Sequence, residues 1–403
     1  MIDSVRAAAP VCEASAVGGS IAAMSAQVCI VGVGESDSGH LPHKSALQLH
    51  QQAAHAALDD AGLRPHDIDG LFTCGDEWAH ALLVAEYLGL HPTYVDSTQV
   101  GGASWEFLVG HAVVALAAGR CTTALLVYGG TPRSDAQRRR RPPEHAVRGP
   151  AQFEAVYGLT VVGKYALAAR RHMHDYGTTN RQLAAVALAA NRWAQRNPRA
   201  LHHGTPLTID DALRSRMVAE PLRQADCCVW TDGGGAVVLT TAERARDLRG
   251  RAVSVLGTGE AVSHLHLSQW DSMPDLVAAT ASGRRAFEQA GVSPRDIDVL
   301  QVYDSVTIMV LLTLEALGFC ERGASGALAE SGALGPGGAL PTNTDGGGLA
   351  ANHPGTRGIF LLIEAARQLR GDAGPRQVPN ARVALCTGTG GFLSACGTVV
   401  LGI

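Results

Sequence analysis

Lysine is almost missing from this chain of 403 residues: Lys44 and Lys164 are the only two. A Schiff-base mechanism needs a lysine in the site, so its scarcity weighs against that route. The nine cysteines include no Cys-x-x-Cys pair and no His/Cys spacing of a zinc site. Reduced thiols are therefore expected rather than a disulfide framework, and no metal is expected. No apolar stretch runs unbroken for the length of a membrane span. Charge is sparse, at 17% Asp, Glu, Lys and Arg, and the formal net charge is −4. That balance speaks against nucleic acid as a partner. The one basic run, Arg138 to Arg141 before Pro142-Pro143, reads first as a solvated loop and second as a phosphate or partner contact. Residues 1–26 lack the charged start and solid apolar block of a secretion signal, and read as a flexible extension of a cytoplasmic protein or as an upstream start with Met24 as the alternative.

A further absence lies inside the stretch "DSTQVGGASWEFLVGHAVVALAAGR", residues 96–120. A polar strand end steps through Gly101-Gly102 into a helix that is apolar nearly all round, the mark of a helix buried at the centre of a fold. The free N–H groups and positive dipole at such an N-terminus stabilise a thiolate or an oxyanion. The step reads Gly-Gly-Ala-Ser and carries no cysteine.

What the chain does have is core-forming material, 46% hydrophobic residues, enough for two domain-sized units. It also repeats itself. "ALDDAGLRPHDIDGLFTC" (57–74) and "AFEQAGVSPRDIDVLQVY" (286–303) share a helix end, an Ala-Gly stop, a Pro turn, an Asp-Ile-Asp step and an apolar strand. "TDGGGAVVLTTAERA" (231–245) and "GTGGFLSACGTVVLGI" (388–403) then close the two halves, each a Gly-rich turn feeding a β-branched strand. The expected organisation is a half over 27–248 and a second over 249–403, with a loop excursion at about 131–171. Alternating helices and strands make each half α/β, with a mixed sheet covered by helices.

In this duplication Cys74 and Tyr303 sit at equivalent strand ends, where functional groups of open α/β sheets collect. "LPTNTDGGGLAANHPGTRG" supplies three glycines, Gly346 to Gly348, and then His353, expected at or just before a helix start with Pro354 in the first turn. An imidazole there can donate to a developing oxyanion or move a proton. His111, His264 and His266 read as core or loop histidines. "VALCTGTGGFL" (383–393) ends an apolar strand in Cys386 beside Gly388 and Gly390, where a thiol is a candidate acid, base or nucleophile.

Together "VCIVGVGESD", "DGGGAVVLTTAERA", "NTDGGGLAANHPG" and the Cys386-x-Gly388 pair resemble the thiolase superfamily, in its sterol-carrier-protein-X-like branch, over about residues 27–403. The resemblance implies a duplicated five-layer αβαβα fold, dimeric, that binds acyl-CoA thioesters. CoA enters as part of the substrate, with no tightly bound cofactor. It also implies a pocket with a nucleophilic Cys, a His and an acid/base Cys. The His matches His353 and the second Cys matches Cys386, but the nucleophile's place holds Gly102, or Ala103 if the match slips by one. Ser104 is expected to cap the helix rather than to attack. Gly102, Ser104, Gly347, Gly348, Gly388 and Gly390 are the expected backbone contacts to the thioester.

Without the nucleophile, what remains suits aldol or retro-aldol chemistry through a CoA enolate. "YDSVT" (303–307), "LTLEALGF" (312–319) and "GGGL" (346–349) resemble the steroid side-chain aldolases of this branch, which work with a small partner carrying a zinc ribbon and an OB-fold. In that reading Tyr303 moves the proton and His353 holds the thioester oxygen. Two features depart from that type: Ala351 stands where a second tyrosine is often found, and Cys386 is retained. Acyl transfer through Cys386 and a non-catalytic scaffold that binds acyl-CoA therefore stay open beside the aldolase.

Overall fold

The computed structural model describes residues 28–75, 77–138, 151–158 and 160–403. The N-terminal extension and Arg139 to Arg141 of the basic run lie outside the described residues.

Each half builds the same unit. In the first, β1 (Val28–Glu35) leads to α1 (Ala46–Ala61), β2 (Gly70–Phe72), α2 (His80–Leu88), β3 (Tyr94–Asp96), α3 (Ser104–Ala117), β4 (Thr123–Gly130) and, after the excursion, β5 (Gly233–Thr241). The excursion over 131–171 is largely helical in its described parts rather than a loop and runs into α4 (Val161–Tyr176), with α5 (Asn180–Ala194) following it. The second half runs β6 (Val253–Val262), α6 (Val277–Ala290), β7 (Val299–Val302), α7 (Thr307–Ala316), α8 (Gly358–Arg370), β8 (Val383–Gly390) and β9 (Ala395–Gly402).

The local signals account for the boundaries. Ser45 and Gln48 form a reciprocal capping box at the start of α1, and Gly62 ends it in the left-handed conformation at φ 70°. Gly291 ends α6 the same way at φ 68°. A short Pro-led turn follows each, Pro65–Asp67 and Pro294–Asp296.

The duplicated strands occupy mirrored places in one nine-stranded sheet, ordered β3-β2-β4-β5-β1-β6-β9-β8-β7. β2 runs parallel to β4, and β7 parallel to β8; the neighbours nearer the centre are antiparallel. The halves join where β1 pairs with β6, Cys29 opposite Ser254 and Ile30 opposite Val253. The second half has no counterpart of β3 in the sheet.

Packing repeats the symmetry at atomic detail. A Cβ added at Gly32 or Gly34 of β1 would overlap the α1 backbone at Ala57, and one at Gly257 or Gly259 of β6 would overlap α6 at Ala286 and Ser282. Glycine is what lets each helix lie directly on its strand. α1 covers the first half's strands and α6 the second's, while α3 and α8 touch strands of both halves and each other. The layers thus read α, β, α, β, α. α8 is almost entirely buried and α3 mostly so because both of their faces meet strands.

Candidate functional site

The N-termini of α3 and α8 face one another at the centre, and the end of β7 delivers Tyr303 between them. Tyr303 is only 5% exposed. Its backbone N–H donates to the Thr387 carbonyl at 3.0 Å, and its phenol donates to the Gly355 carbonyl at 3.0 Å. The ring stands edge-on to His353, centroids 5.6 Å apart and planes at 82°. Burial pushes the phenol well above its usual range, so it is a neutral proton donor.

Gly102 explains itself against this ring. A Cβ at position 102 would overlap Cε2 and Cζ of Tyr303 and the Thr389 carbonyl. The space that a side chain at the head of α3 would occupy is filled by the phenol from the other half of the molecule.

His353 is half-buried, with its backbone N–H donating to Thr231 Oγ1 at 3.0 Å and its Nε2 without a protein partner. Burial, reinforced by the Arg357 guanidinium, lowers its pKa to about 4, so the imidazole is neutral. His353 lies further from the helix than its sequence suggests. Gly355 turns the chain at φ 103°, and α8 begins only at Gly358, so Pro354 is not in its first turn. Asn352 Oδ1, Thr356 Oγ1 and Arg357 Nη1 on the same segment also have no protein partner. Buried polar atoms of this kind are normally satisfied by water or ligand.

The segment before His353 is held by residues that sequence reasoning left out of the site. Asp304 accepts from the N–H groups of Gly348 at 2.6 Å and Leu349 at 3.2 Å. Burial raises its carboxyl to about 6, against the opposing pull of Arg357. Arg357, fully buried, donates from Nε to the Asn352 carbonyl at 2.8 Å and pairs with Asp345. Its position after the His-Pro step gives no sequence signal; Asp304 is signalled only by following Tyr303. Glu106 is also buried, one turn into α3 from Gly102, with both carboxyl oxygens unpartnered and its pKa raised well above normal by burial. A charged residue inside an apolar helix was the signal for it.

Several expected contacts are corrected by the geometry. Cys386 shares a buried core with Tyr303, whose backbone N–H is bonded by the neighbouring Thr387. Cys386 is fully buried in β8 opposite Gln301, its thiol donates to the Leu361 carbonyl of α8 at 3.4 Å, and burial pushes the thiol well up. Gly388 and Gly390 lie within β8, not in a turn. They lack side chains because the Glu106 carboxyl and the Val100 carbonyl fill the space beside them. The Gly347 N–H is taken by Asp345 at 2.8 Å and that of Gly348 by Asp304, so neither is offered to a ligand. Ser104 does not cap α3. Its hydroxyl donates to the Gly101 carbonyl at 2.8 Å and accepts from Val100 N–H at 3.0 Å, tying the preceding turn together. His111 is neither a core nor a loop histidine: Asp96 at 2.8 Å and Glu260 at 3.5 Å hold it protonated, with its pKa raised to about 10. His264 stacks on Trp270, centroids 5.3 Å apart. Among the described residues no group of three or more His, Cys, Asp or Glu is placed to hold a metal ion.

This chain is 34% identical to the 17-hydroxy-3-oxo-4-pregnene-20-carboxyl-CoA lyase of Mycobacterium tuberculosis, over 91% of this chain and 97% of that one. The chain belongs to the thiolase superfamily. Residues 259–403 match the thiolase C-terminal domain-like family. Within the superfamily the chain stands with the sterol-carrier-protein-like branch and the side-chain-cleaving aldolases. The steroid side-chain-cleaving aldolase of Thermomonospora curvata is 32% identical over 89% of this chain and 95% of that protein. Among solved structures, the Ltp2-ChsH2(DUF35) aldolase superposes with a TM-score of 0.87 at 31% identity, covering 94% of this chain and 98% of that one. The superfamily also contains acyl-transferring relatives: the acetyl-CoA acetyltransferase of Methanothermobacter thermautotrophicus is 32% identical over 90% of this chain and 96% of that protein.

Proposed function

We infer that this thiolase-fold chain is a lyase acting on CoA thioesters, an aldolase that cleaves or forms the carbon–carbon bond of a β-hydroxyacyl-CoA through an enolate and without an acyl-enzyme. The observation that carries this reading is the Tyr303 phenol standing in the space at Gly102, beside a neutral His353. In the cleaving direction the β-hydroxyl loses its proton, the Cα–Cβ pair moves onto the thioester as an enolate, and the enolate takes a proton at Cα. No proton is consumed overall, so one group able to give and regain a proton suffices. Tyr303, neutral at the start, gives its proton to the enolate carbon in cleavage and takes the β-hydroxyl proton in exchange as the bond breaks; in condensation it gives its proton to the forming alkoxide and takes the one leaving Cα. His353 Nε2 faces the thioester oxygen.

CoA enters as part of the substrate, with no tightly bound cofactor. The working unit is proposed to be a homodimer carrying a small OB-fold and zinc-ribbon partner. The likeness to a two-protein aldolase supports this, as does an uncovered apolar face on and before α2, where Trp78 is 95% and Leu82 68% exposed. No described helix is long and apolar enough to cross a membrane. Acyl transfer through Cys386 is disfavoured because its thiol donates to the Leu361 carbonyl and burial raises its pKa, leaving little thiolate to attack.

The test is incubation of the chain, with its partner, against a panel of β-hydroxyacyl-CoAs read by mass spectrometry. A shortened acyl-CoA plus a carbonyl product, with unmodified protein, is the expected result. An adduct on any cysteine would overturn it.

A further inference from the structure

A cavity of about 890 Å³ opens in the first half, and neither Tyr303 nor His353 lines it. Its position follows from the duplication. Cys74, the counterpart of Tyr303, is in its wall, and so is Gly130 at the end of β4, the counterpart of Gly390 at the end of β8. Thr356, two residues before α8 as Gly102 is two residues before α3, completes the correspondence. In the second half this place is filled by the phenol of Tyr303. In the first half the side chain at the equivalent strand end is a small thiol, and the place is open.

The walls are not merely vacant. His50, 1% exposed, lines the cavity from α1. Its Nδ1 lies 2.9 Å from the Ala46 carbonyl, so the ring proton is on Nδ1 and Nε2 is left as an acceptor with no protein partner. Burial lowers its pKa to about 4, which keeps that acceptor available at neutral pH. Thr356 Oγ1 is a second unpartnered polar atom in the wall. Among the described residues the lining contains no lysine or arginine and includes Glu77 and Asp135, which do not favour a phosphate or carboxylate there. The rest is largely apolar, including Leu47, Leu83 and Trp230. Apolar walls with a few convergent polar atoms are the usual form of a small-molecule site.

We propose that this cavity is a second ligand site, built on the internal repeat, which takes a neutral and mostly apolar molecule through a hydroxyl donated to His50 Nε2. A ligand there touches the segment that sets Tyr303. Gly355, whose carbonyl accepts the Tyr303 phenol, is in the wall, and the Tyr128 phenol of the same wall donates to the neighbouring Pro354 carbonyl. The proposal concerns binding alone and holds or fails apart from the lyase reading.

The experiment is calorimetric titration of the full chain with 4-cyclohexylcyclohexanol and with its methyl ether, which keeps size and apolarity but cannot donate. The alcohol is expected to bind about tenfold tighter, the effect of roughly one net hydrogen bond. His50→Leu should bring alcohol and ether to equal affinity, and Ala46→Trp, which fills the cavity, should abolish both. Equal affinities in the unaltered protein, no binding up to the solubility limit, or binding undiminished by Ala46→Trp would each overturn the proposal. The first two outcomes need no variant and so do not depend on a variant folding.

Discussion

The ring of Tyr303 lies where the side chain of residue 102 would lie, so that Gly102 and Tyr303 are a single steric decision made by two distant parts of the chain. A thiol at the head of α3 and a phenol at the end of β7 cannot both be accommodated. Loss of the nucleophile and gain of the proton donor are therefore one event in space.

It follows that restoring the cysteine alone does not restore thiolase chemistry. Gly102→Cys should lower stability by about 1–3 kcal/mol through overpacking. Gly102→Cys combined with Tyr303→Ala should recover only the part of that loss that the ring causes, since the Thr389 carbonyl also crowds a Cβ at 102, and should expose an alkylatable thiol. A double-mutant cycle by chemical denaturation reads the coupling; additive effects would show that the two sites do not share space.

Tyr303→Phe keeps the ring and removes only the proton. Turnover should fall by about 10²–10⁴-fold, the scale of general acid–base catalysis. Stability should change by only about 1 kcal/mol, the single bond to Gly355. Ligand affinity measured by titration should be nearly unchanged, and a comparable loss of affinity and turnover would assign Tyr303 to binding instead.

For Cys386→Ala the expectation is the reverse: turnover within about twofold of the parent, with a modest fall in melting temperature from the small cavity left in the core. Collapse of activity in a protein that remains folded would return Cys386 to the chemistry.

Asp304 sets a pH dependence. Its carboxylate must be ionised to accept from Gly348 and Leu349, and its pKa is raised to about 6. Activity should therefore fall as pH drops through about 6, with no limb from His353, which stays neutral down to about 4. Asp304→Asn should be weaker but flat over the same range. A limb near 6 that persists in Asp304→Asn would point to another group.

Glu106 predicts a stability gain. Its folded pKa is raised, so the folded state holds a proton that the unfolded chain gives up above about 4.5. Its stabilising contribution is complete below that pH and is lost as pH rises, by about 1.4 kcal/mol per unit until the buried carboxyl ionises. Glu106→Gln should remove that slope and become the more stable protein towards neutral pH. Parallel melting curves for the two proteins from pH 5 to 8 would show that the buried carboxyl finds a partner.

Much of the architecture was legible in the chain because it is encoded locally and twice. Ala-Gly stops, Pro-Asp turns and apolar strand runs at 57–74 and 286–303 are properties of neighbouring residues, and their recurrence revealed two like α/β units. The absence of a thiol at Gly102, and the prominence of Tyr303 and His353, were also readable from motif and position. What each residue faces was not. Strand alternation turns Cys386 into the core against α8, while Gly388 and Gly390 are glycines because Glu106 and Val100 need their space. The meeting of Gly102 with Tyr303 and the open cavity at Cys74 arise only when the two halves close on α3 and α8, and the hold of Asp304 and Arg357 on the segment before His353 only when the second half folds on itself. Local sequence specifies which elements form. Which side chains share a volume is set by packing between parts of the chain hundreds of residues apart, and only the tertiary structure decided that.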